Sequence, residues 1–75
     1  MEKMIISINS INDIYEFIKQ AQAVAGDVTV YRGKYTCDAR SIMGVLSIDM
    51  SQNVTVEYPA SAIEFKEYIK KFQLM

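Results

Sequence analysis

The chain has 75 residues, which is enough for one small domain and no more. Half of the residues (51%) are hydrophobic and 23% are charged, as in globular rather than disordered proteins. The net charge of −1 argues against a protein that binds nucleic acid by neutralising phosphates. No histidine and one cysteine are present, which excludes histidine-based acid–base catalysis, an internal disulfide and a zinc site of Cys and His pairs.

The apolar residues near the start of the chain predict neither a signal sequence nor a membrane span. The stretch from Met4 to Ile8 is too short for a secretory signal. No apolar run approaches the roughly 20 residues that cross a bilayer. We therefore expect one cytoplasmic domain over residues 1–75, with no metal, no cofactor and no membrane or nucleic-acid partner.

The first third of the chain has the pattern of a strand followed by a helix. Met4, Ile6 and Ile8 alternate with other residues, as in a strand. The segment from Ser10 to Asp13 then reads as a capping box, and Gly26 is expected to end the helix. The apolar face of that helix has the three-four spacing expected for a buried stripe. Its members are Ile14, Phe17, Ile18, Ala21, Val24 and Ala25.

The remainder predicts a hairpin, a short helix, a strand and a last helix. Strands are expected at 28–31 and 34–37, joined by a turn at Arg32-Gly33. Residues 41–48 suit a short apolar helix and residues 54–58 suit a strand that Pro59 ends. Residues 61–64 read as a second capping box. The apolar stripe behind it is Ala62, Phe65, Ile69 and Phe72.

The predicted element order is β-α-β-β-α-β-α. A hairpin mixed with helices implies a four-stranded antiparallel sheet with three helices on one face, an α+β fold.

The segment from Arg40 to Ile48 contains the most informative residues. A helix this short cannot bury all of its large side chains. If Val45 and Ile48 face the sheet, then Ile42, Met43 and Leu46 are left partly exposed, and an exposed apolar patch beside a charge is a candidate partner surface. The alternative is that Ser41 is only a helix cap and that the apolar residues are only core.

This segment resembles the KSIMGVMSL run of HPr, the small phosphocarrier of the bacterial sugar phosphotransferase system. The element order is also similar to that family's open-faced β-sandwich. The resemblance implies protein partners of three types: a phosphotransferase-system enzyme, an HPr kinase or a transcriptional regulator. It implies that Ser41 is a phosphorylation site and that Arg40, Ile42, Met43 and Leu46 contact partners. Arg40 stands where the family usually has Lys.

The phosphoryl-carrying part of the family pattern is missing. HPr carries phosphate on a His in a GxHARPA loop before its first helix. In this sequence Ser10 falls on the His position, Asn12 on the Arg position and Asp13 on the Pro position. A serine would give a much more inert ester, and Asp13 would repel a phosphate. The resemblance therefore predicts a non-enzymatic relative that does not transfer phosphohistidine.

Two other functions remain open from the sequence. The chain could still be a phosphocarrier that uses a residue such as Ser10. It could instead bind a nucleic acid or another ligand through tyrosines on the open face of the sheet. Tyr31 and Tyr35 flank the hairpin turn, and Tyr58 is expected to join their surface.

Overall fold

The computed structural model describes residues 1–74 of the chain. It contains four strands: β1 (Glu2–Ile6), β2 (Thr29–Arg32), β3 (Tyr35–Asp38) and β4 (Val54–Tyr58). Its helices are α1 (Ile11–Gln22), α2 (Ile42–Ser47) and α3 (Ile63–Ile69), which continues into a 3-10 turn at Lys70–Phe72. The order of elements is the one that the sequence predicts.

The four strands form one antiparallel sheet with the order β1-β4-β2-β3. Met4 of β1 and Val30 of β2 both pair with Val56 of the central strand β4. The buried side chains of β4 alternate with partly exposed ones, because successive residues of a strand point to opposite faces. The helices cover the apolar face and leave the other open, which confirms the predicted α+β sandwich.

The core lies between the sheet and the helices. Phe65 of α3 is at its centre, with its ring centroid 5.8 Å from that of Phe17 and 5.9 Å from that of Tyr58. Ala21 of α1, Val45 of α2 and Ile69 of α3 are fully buried. Every helix therefore contributes apolar area to the same core, which is the main source of stability in a domain this small.

Tyr58 does not lie on the open face, where the sequence analysis placed it. Its side chain is 1% exposed and packs against Phe65. The reason is its register: Tyr58 shares the face of Val54 and Val56, which are both buried.

The hairpin turn lies one residue later than predicted. Arg32 pairs with Tyr35, so the two loop residues are Gly33 and Lys34. Gly33 has a φ of 60°, a conformation that glycine adopts at little cost, and this decides which residue starts the turn. In this register Tyr31 pairs with Thr36, which puts Tyr31 and Tyr35 on opposite faces of the hairpin.

Several predicted ends of elements also shift. β1 ends at Ile6, although Ile8 is still buried and its N–H donates to the carbonyl of Met50 at 2.8 Å. α1 ends at Gln22 and not at Gly26. Neither predicted capping box forms, because the Ser10 side chain makes no capping hydrogen bond and Ala62 occupies the N-cap position of α3.

Candidate functional site

Helix α2 begins at Ser41, whose side chain caps it. The Ser41 hydroxyl accepts a hydrogen bond from the N–H of Gly44 at 3.2 Å. The Ser41 backbone is extended, with φ −96° and ψ 118°, as expected for a residue just before a helix. Ser41 is exposed, so the same hydroxyl that caps the helix is open to solvent.

The apolar side chains of α2 and of Ile48, its C-cap residue, divide into a buried and an exposed set. Val45 is fully buried and Ile48 is 4% exposed. Ile42, Met43 and Leu46 are 50%, 84% and 44% exposed, and we call these three residues the α2 surface. This division agrees with the expectation from the sequence, and it follows from the shortness of a helix that packs on the sheet along one side only.

A groove of about 280 Å³ runs between the start of α1 and the end of α2. Ile11 and Ile14 line it from α1, and Leu46 lines it from α2. Ile11 is 52% exposed, so the apolar area of the α2 surface continues across the groove onto α1. The exposure of Ile11 was not predicted from the sequence. Its spacing to Ile14 and Ile18 continues the three-four pattern of the apolar stripe, and it is exposed as the first residue of α1.

Ser10 and Asn12 lie at the start of α1, and both are exposed. Ser10 is the N-cap residue, and its carbonyl accepts from the N–H of Ile14 at 3.0 Å. Asp13 provides an acidic side chain in the first turn. The groove brings the start of α1 next to the end of α2, whereas the end of α1 lies beside the start of α2, where Gln22 Nε2 donates to the Arg40 carbonyl.

The Arg40 side chain is engaged by two carboxylates. Its Nε and Nη2 atoms donate to the Oδ1 and Oδ2 atoms of Asp38 at 3.1 and 3.0 Å. Nη2 also donates to Asp27 Oδ1 at 3.1 Å. The hydrogen bonds from Arg40 lower the pKa of Asp38. The sequence did not indicate Asp27 as a partner, because Asp27 comes from the connection between α1 and β2.

Cys37 lies beneath α2 and is partly buried. A Cβ added to Gly44 would lie 3.1 Å from the Cβ of Cys37, so α2 approaches β3 closely at this point. Burial raises the pKa of the Cys37 thiol. A raised pKa leaves less of the reactive thiolate, so Cys37 behaves as a small apolar residue of the helix–sheet contact.

The tyrosines do not form a common surface. The Tyr31 hydroxyl donates to Glu57 Oε1 at 2.6 Å, and this hydrogen bond raises the pKa of Tyr31. Tyr35 is 67% exposed on the other face of the hairpin, and Tyr58 is buried. Stacking of successive bases needs aromatic rings on one face, and this arrangement does not provide them.

Residues 1–74 contain neither a membrane-spanning helix nor a cluster of metal ligands. None of the helices in this part of the chain has the length and hydropathy needed to cross a membrane. Over the same residues, no three Cys, Asp or Glu side chains come together as a group that could hold a metal ion.

Comparison with known protein families gave one match. A family model described as the PTS HPr component phosphorylation site matches residues 13–73, which is more than half of the chain. The matched range contains Ser41 and the whole of α2, and it begins after Ser10 and Asn12. Searches of the curated proteins and of the solved structures each found no match.

Proposed function

Since this chain belongs to the HPr family of the phosphotransferase system, we propose that it is a non-enzymatic protein-binding module that does not carry phosphohistidine. The observation that supports this most strongly is the α2 surface. Its three large apolar side chains are exposed to solvent, and the opposite side of the same helix packs in the core. Exposed apolar side chains that are grouped in this way are typical of a surface that binds another protein.

The proposal of lost phosphotransfer rests on the residues at the start of α1. The chain contains no histidine, so no imidazole nitrogen can accept a phosphoryl group. Ser10 and Asn12 stand at the positions that resemble the family's His and Arg, and neither carries a charge that would hold a phosphate. Asp13 in the first turn of α1 adds a negative charge that would repel one.

We also propose that the binding module is switched by phosphorylation of Ser41. The exposure of Ser41 leaves its hydroxyl open to a kinase. A phosphate adds roughly −1.5 to −2 charges and strong acceptor oxygens, which suit a position next to the free N–H groups of a helix start. The dianion would lie directly beside Ile42, so one modification would change the chemistry of the whole α2 surface.

The family suggests the type of partner. A phosphotransferase-system enzyme, an HPr kinase or a transcriptional regulator would each meet an apolar surface next to a switchable charge. All of these partners are proteins, and their setting in the family is the cytoplasm.

The two parts of this proposal are tested by labelling in parallel. Incubation with Enzyme I and phosphoenolpyruvate is expected to leave the mass of the chain unchanged, while an HPr control gains one phosphoryl group. Incubation with an HPr kinase and ATP is expected to add one phosphoryl group, and a Ser41→Ala variant should remain unmodified. Stoichiometric labelling in the first assay would contradict the loss of transfer and would favour a carrier residue such as Ser10. No labelling in the second would leave Ser41 as a plain helix cap.

The binding surface is tested with a matched pair of variants. Ile42 on α2 and Ile5 on the open face of the sheet are both 50% exposed. The Ile42→Thr variant is expected to weaken binding to Enzyme I or to HPr kinase, measured by NMR titration. The Ile5→Thr variant removes a similar apolar area from the opposite side of the sheet and should bind like the unmodified chain. Equal binding by all three proteins to both probes would contradict the proposed surface.

A further inference from the structure

We infer that Arg40 is a positioning residue, which holds the start of α2 in place and does not itself contact the partner. This inference rests on the proposed function, because it concerns the surface that binds the partner. A lone cation beside an apolar patch would ordinarily be read as a contact for an acidic partner. The contacts of Arg40 within the chain support a different role.

The Nε, Nη2, backbone N–H and carbonyl groups of Arg40 are all hydrogen-bonded within residues 1–74. The guanidinium donates to Asp38 and Asp27, and the Arg40 N–H donates to Asp38 Oδ1 at 2.9 Å. The Arg40 carbonyl accepts from Gln22 Nε2 at 3.2 Å. We call Arg40 and these three partners the Arg40 junction. It joins the end of α1, the connection to β2 and the end of β3 to the first residue before the α2 cap.

Asp38 connects this junction directly to Ser41. The Asp38 carbonyl accepts from the Ser41 N–H at 3.0 Å, and Ser41 in turn caps α2 through Gly44. A continuous chain of hydrogen bonds therefore leads from Asp27 through Arg40 and Asp38 to the cap of α2. Exposed ion pairs contribute little as a rule, and the exceptions are bidentate Arg–carboxylate pairs and networks of charges. The Arg40 junction has both features.

The junction also leaves Arg40 little free charge for a partner. Two carboxylates surround one guanidinium, so the local charge is negative rather than positive. Lys at this position would keep the charge, but it lacks the planar fork that binds both oxygens of Asp38. A positioning role therefore predicts that charge alone does not replace Arg40.

The first test examines the free protein and needs no partner. In NMR spectra the Arg40 Nε–H is expected to exchange slowly with water. The Nε–H of Arg32, which has no hydrogen-bond partner within residues 1–74, is expected to exchange fast. The Asp38→Asn and Asp27→Asn variants should speed exchange at the Gly44 amide, by about fivefold at the upper limit for an exposed pair. The Arg32→Lys variant is the control and should leave the Gly44 amide unchanged.

The second test measures affinity for Enzyme I or HPr kinase as the probe. Arg40→Lys, Asp38→Asn and the double variant are expected to weaken binding to the same extent, about fivefold or less, because all three break one unit. A variant that binds weakly only because it is destabilised would also have a lower urea midpoint. The urea midpoints of all variants are therefore measured as well.

Two results would overturn the inference. One is weaker binding in Arg40→Lys with normal binding in Asp38→Asn, since Arg40 would then be a direct contact. The other is fast exchange of the Arg40 Nε–H in the free chain. Failure of the proposed function has a separate signature, which is unaltered binding in the Ile42→Thr variant.

Discussion

Gly44 of α2 packs so closely against Cys37 of β3 that a Cβ added to Gly44 would lie 3.1 Å from the Cβ of Cys37. The same added atom would lie 3.4 Å from the Ser41 hydroxyl oxygen that caps the helix. The distance between α2 and the sheet, and with it the position of the α2 surface, therefore depends on a residue without a side chain.

This contact predicts that Gly44→Ala is destabilising even though Ala favours a helix. Overpacking costs about 1–3 kcal/mol, and the gain in helix propensity offsets up to about 1 kcal/mol of it. We expect a net loss of about 1 kcal/mol, measured as the free energy of unfolding in urea. Cys37→Ala in the same background should not restore stability, because it retains the Cβ that the new methyl group meets.

The helix cap makes a second prediction. Ser41→Ala removes the acceptor of the Gly44 N–H and should lower the free energy of unfolding by about 1 kcal/mol. Ser41→Asp keeps an acceptor at the cap position and should retain most of that stability at neutral pH. Urea denaturation of the three proteins at one pH checks the order. A Ser41→Ala variant as stable as the unmodified chain would show that the cap contributes nothing.

Tyr68 predicts a gain of stability from a conservative change. Within residues 1–74 its hydroxyl oxygen is buried with no hydrogen-bond partner. Tyr68→Phe removes this unsatisfied group and should raise the free energy of unfolding by about 1 kcal/mol, since an unpaired buried polar atom costs about that much or more. Thermal or urea unfolding at pH 7 measures the difference.

The same tyrosine has a signature at high pH. Burial, together with the nearby charges of Glu16 and Asp13, raises the pKa of Tyr68 to about 12. The folded state therefore favours the neutral phenol. The stability that this preference adds is fully present below the unfolded pKa, near 10, and is lost as the pH rises toward 12. The stability difference between Tyr68→Phe and the unmodified chain should widen over this range. A constant difference would contradict the raised pKa.

Asp38 predicts part of the response to acid. Hydrogen bonds from Arg40 lower the pKa of Asp38 below its ordinary value. The stability that ionised Asp38 adds to the folded state is therefore present above the unfolded pKa, near 3.9. It is lost as the pH falls through the lower folded pKa. Asp38→Asn should be less stable at pH 7 and should lose less on acidification. Urea midpoints at pH 7 and pH 3 test this, with Asp27→Asn as a comparison, since the Asp27 carboxylate accepts from Arg40 Nη2 but not from the Arg40 backbone.

The residues near Ser41 show which features of the site were readable from the sequence. The division of α2 into buried Val45 and exposed Met43 follows from the period of a helix with one partner surface, and it was predicted. The engagement of Arg40 by Asp27 was not predicted, because 13 positions separate these residues in the chain. Contacts between distant segments depend on how elements pack, which local patterns do not encode.

The hairpin shows how far a small error in the sequence reading extends. A turn at Arg32-Gly33 would pair Tyr31 with Lys34, whereas the structure pairs Tyr31 with Thr36, so moving the turn by one residue changes each cross-strand partner by two. A change of two leaves every side chain on its own face, because side chains alternate with a period of two. The predicted tyrosine surface failed for a different reason, since Tyr58 follows the alternation of Val54 and Val56 into the core. The alternation of residues along β4 was visible in the sequence. Which face of the sheet is covered depends on where the helices pack.

The sequence by itself determined the element order, the antiparallel α+β fold and the two sets of side chains on α2. The hydrophobic period acts over a few positions, so these features can be predicted along the chain even where caps and turns are misplaced. Only the tertiary structure decided the groove between Ile11 and Leu46, the Arg40 junction and the close approach of Gly44 to Cys37. Each of these joins segments that meet only after the helices pack on the sheet, and packing at near-crystalline density sets their distances to within the width of a methyl group.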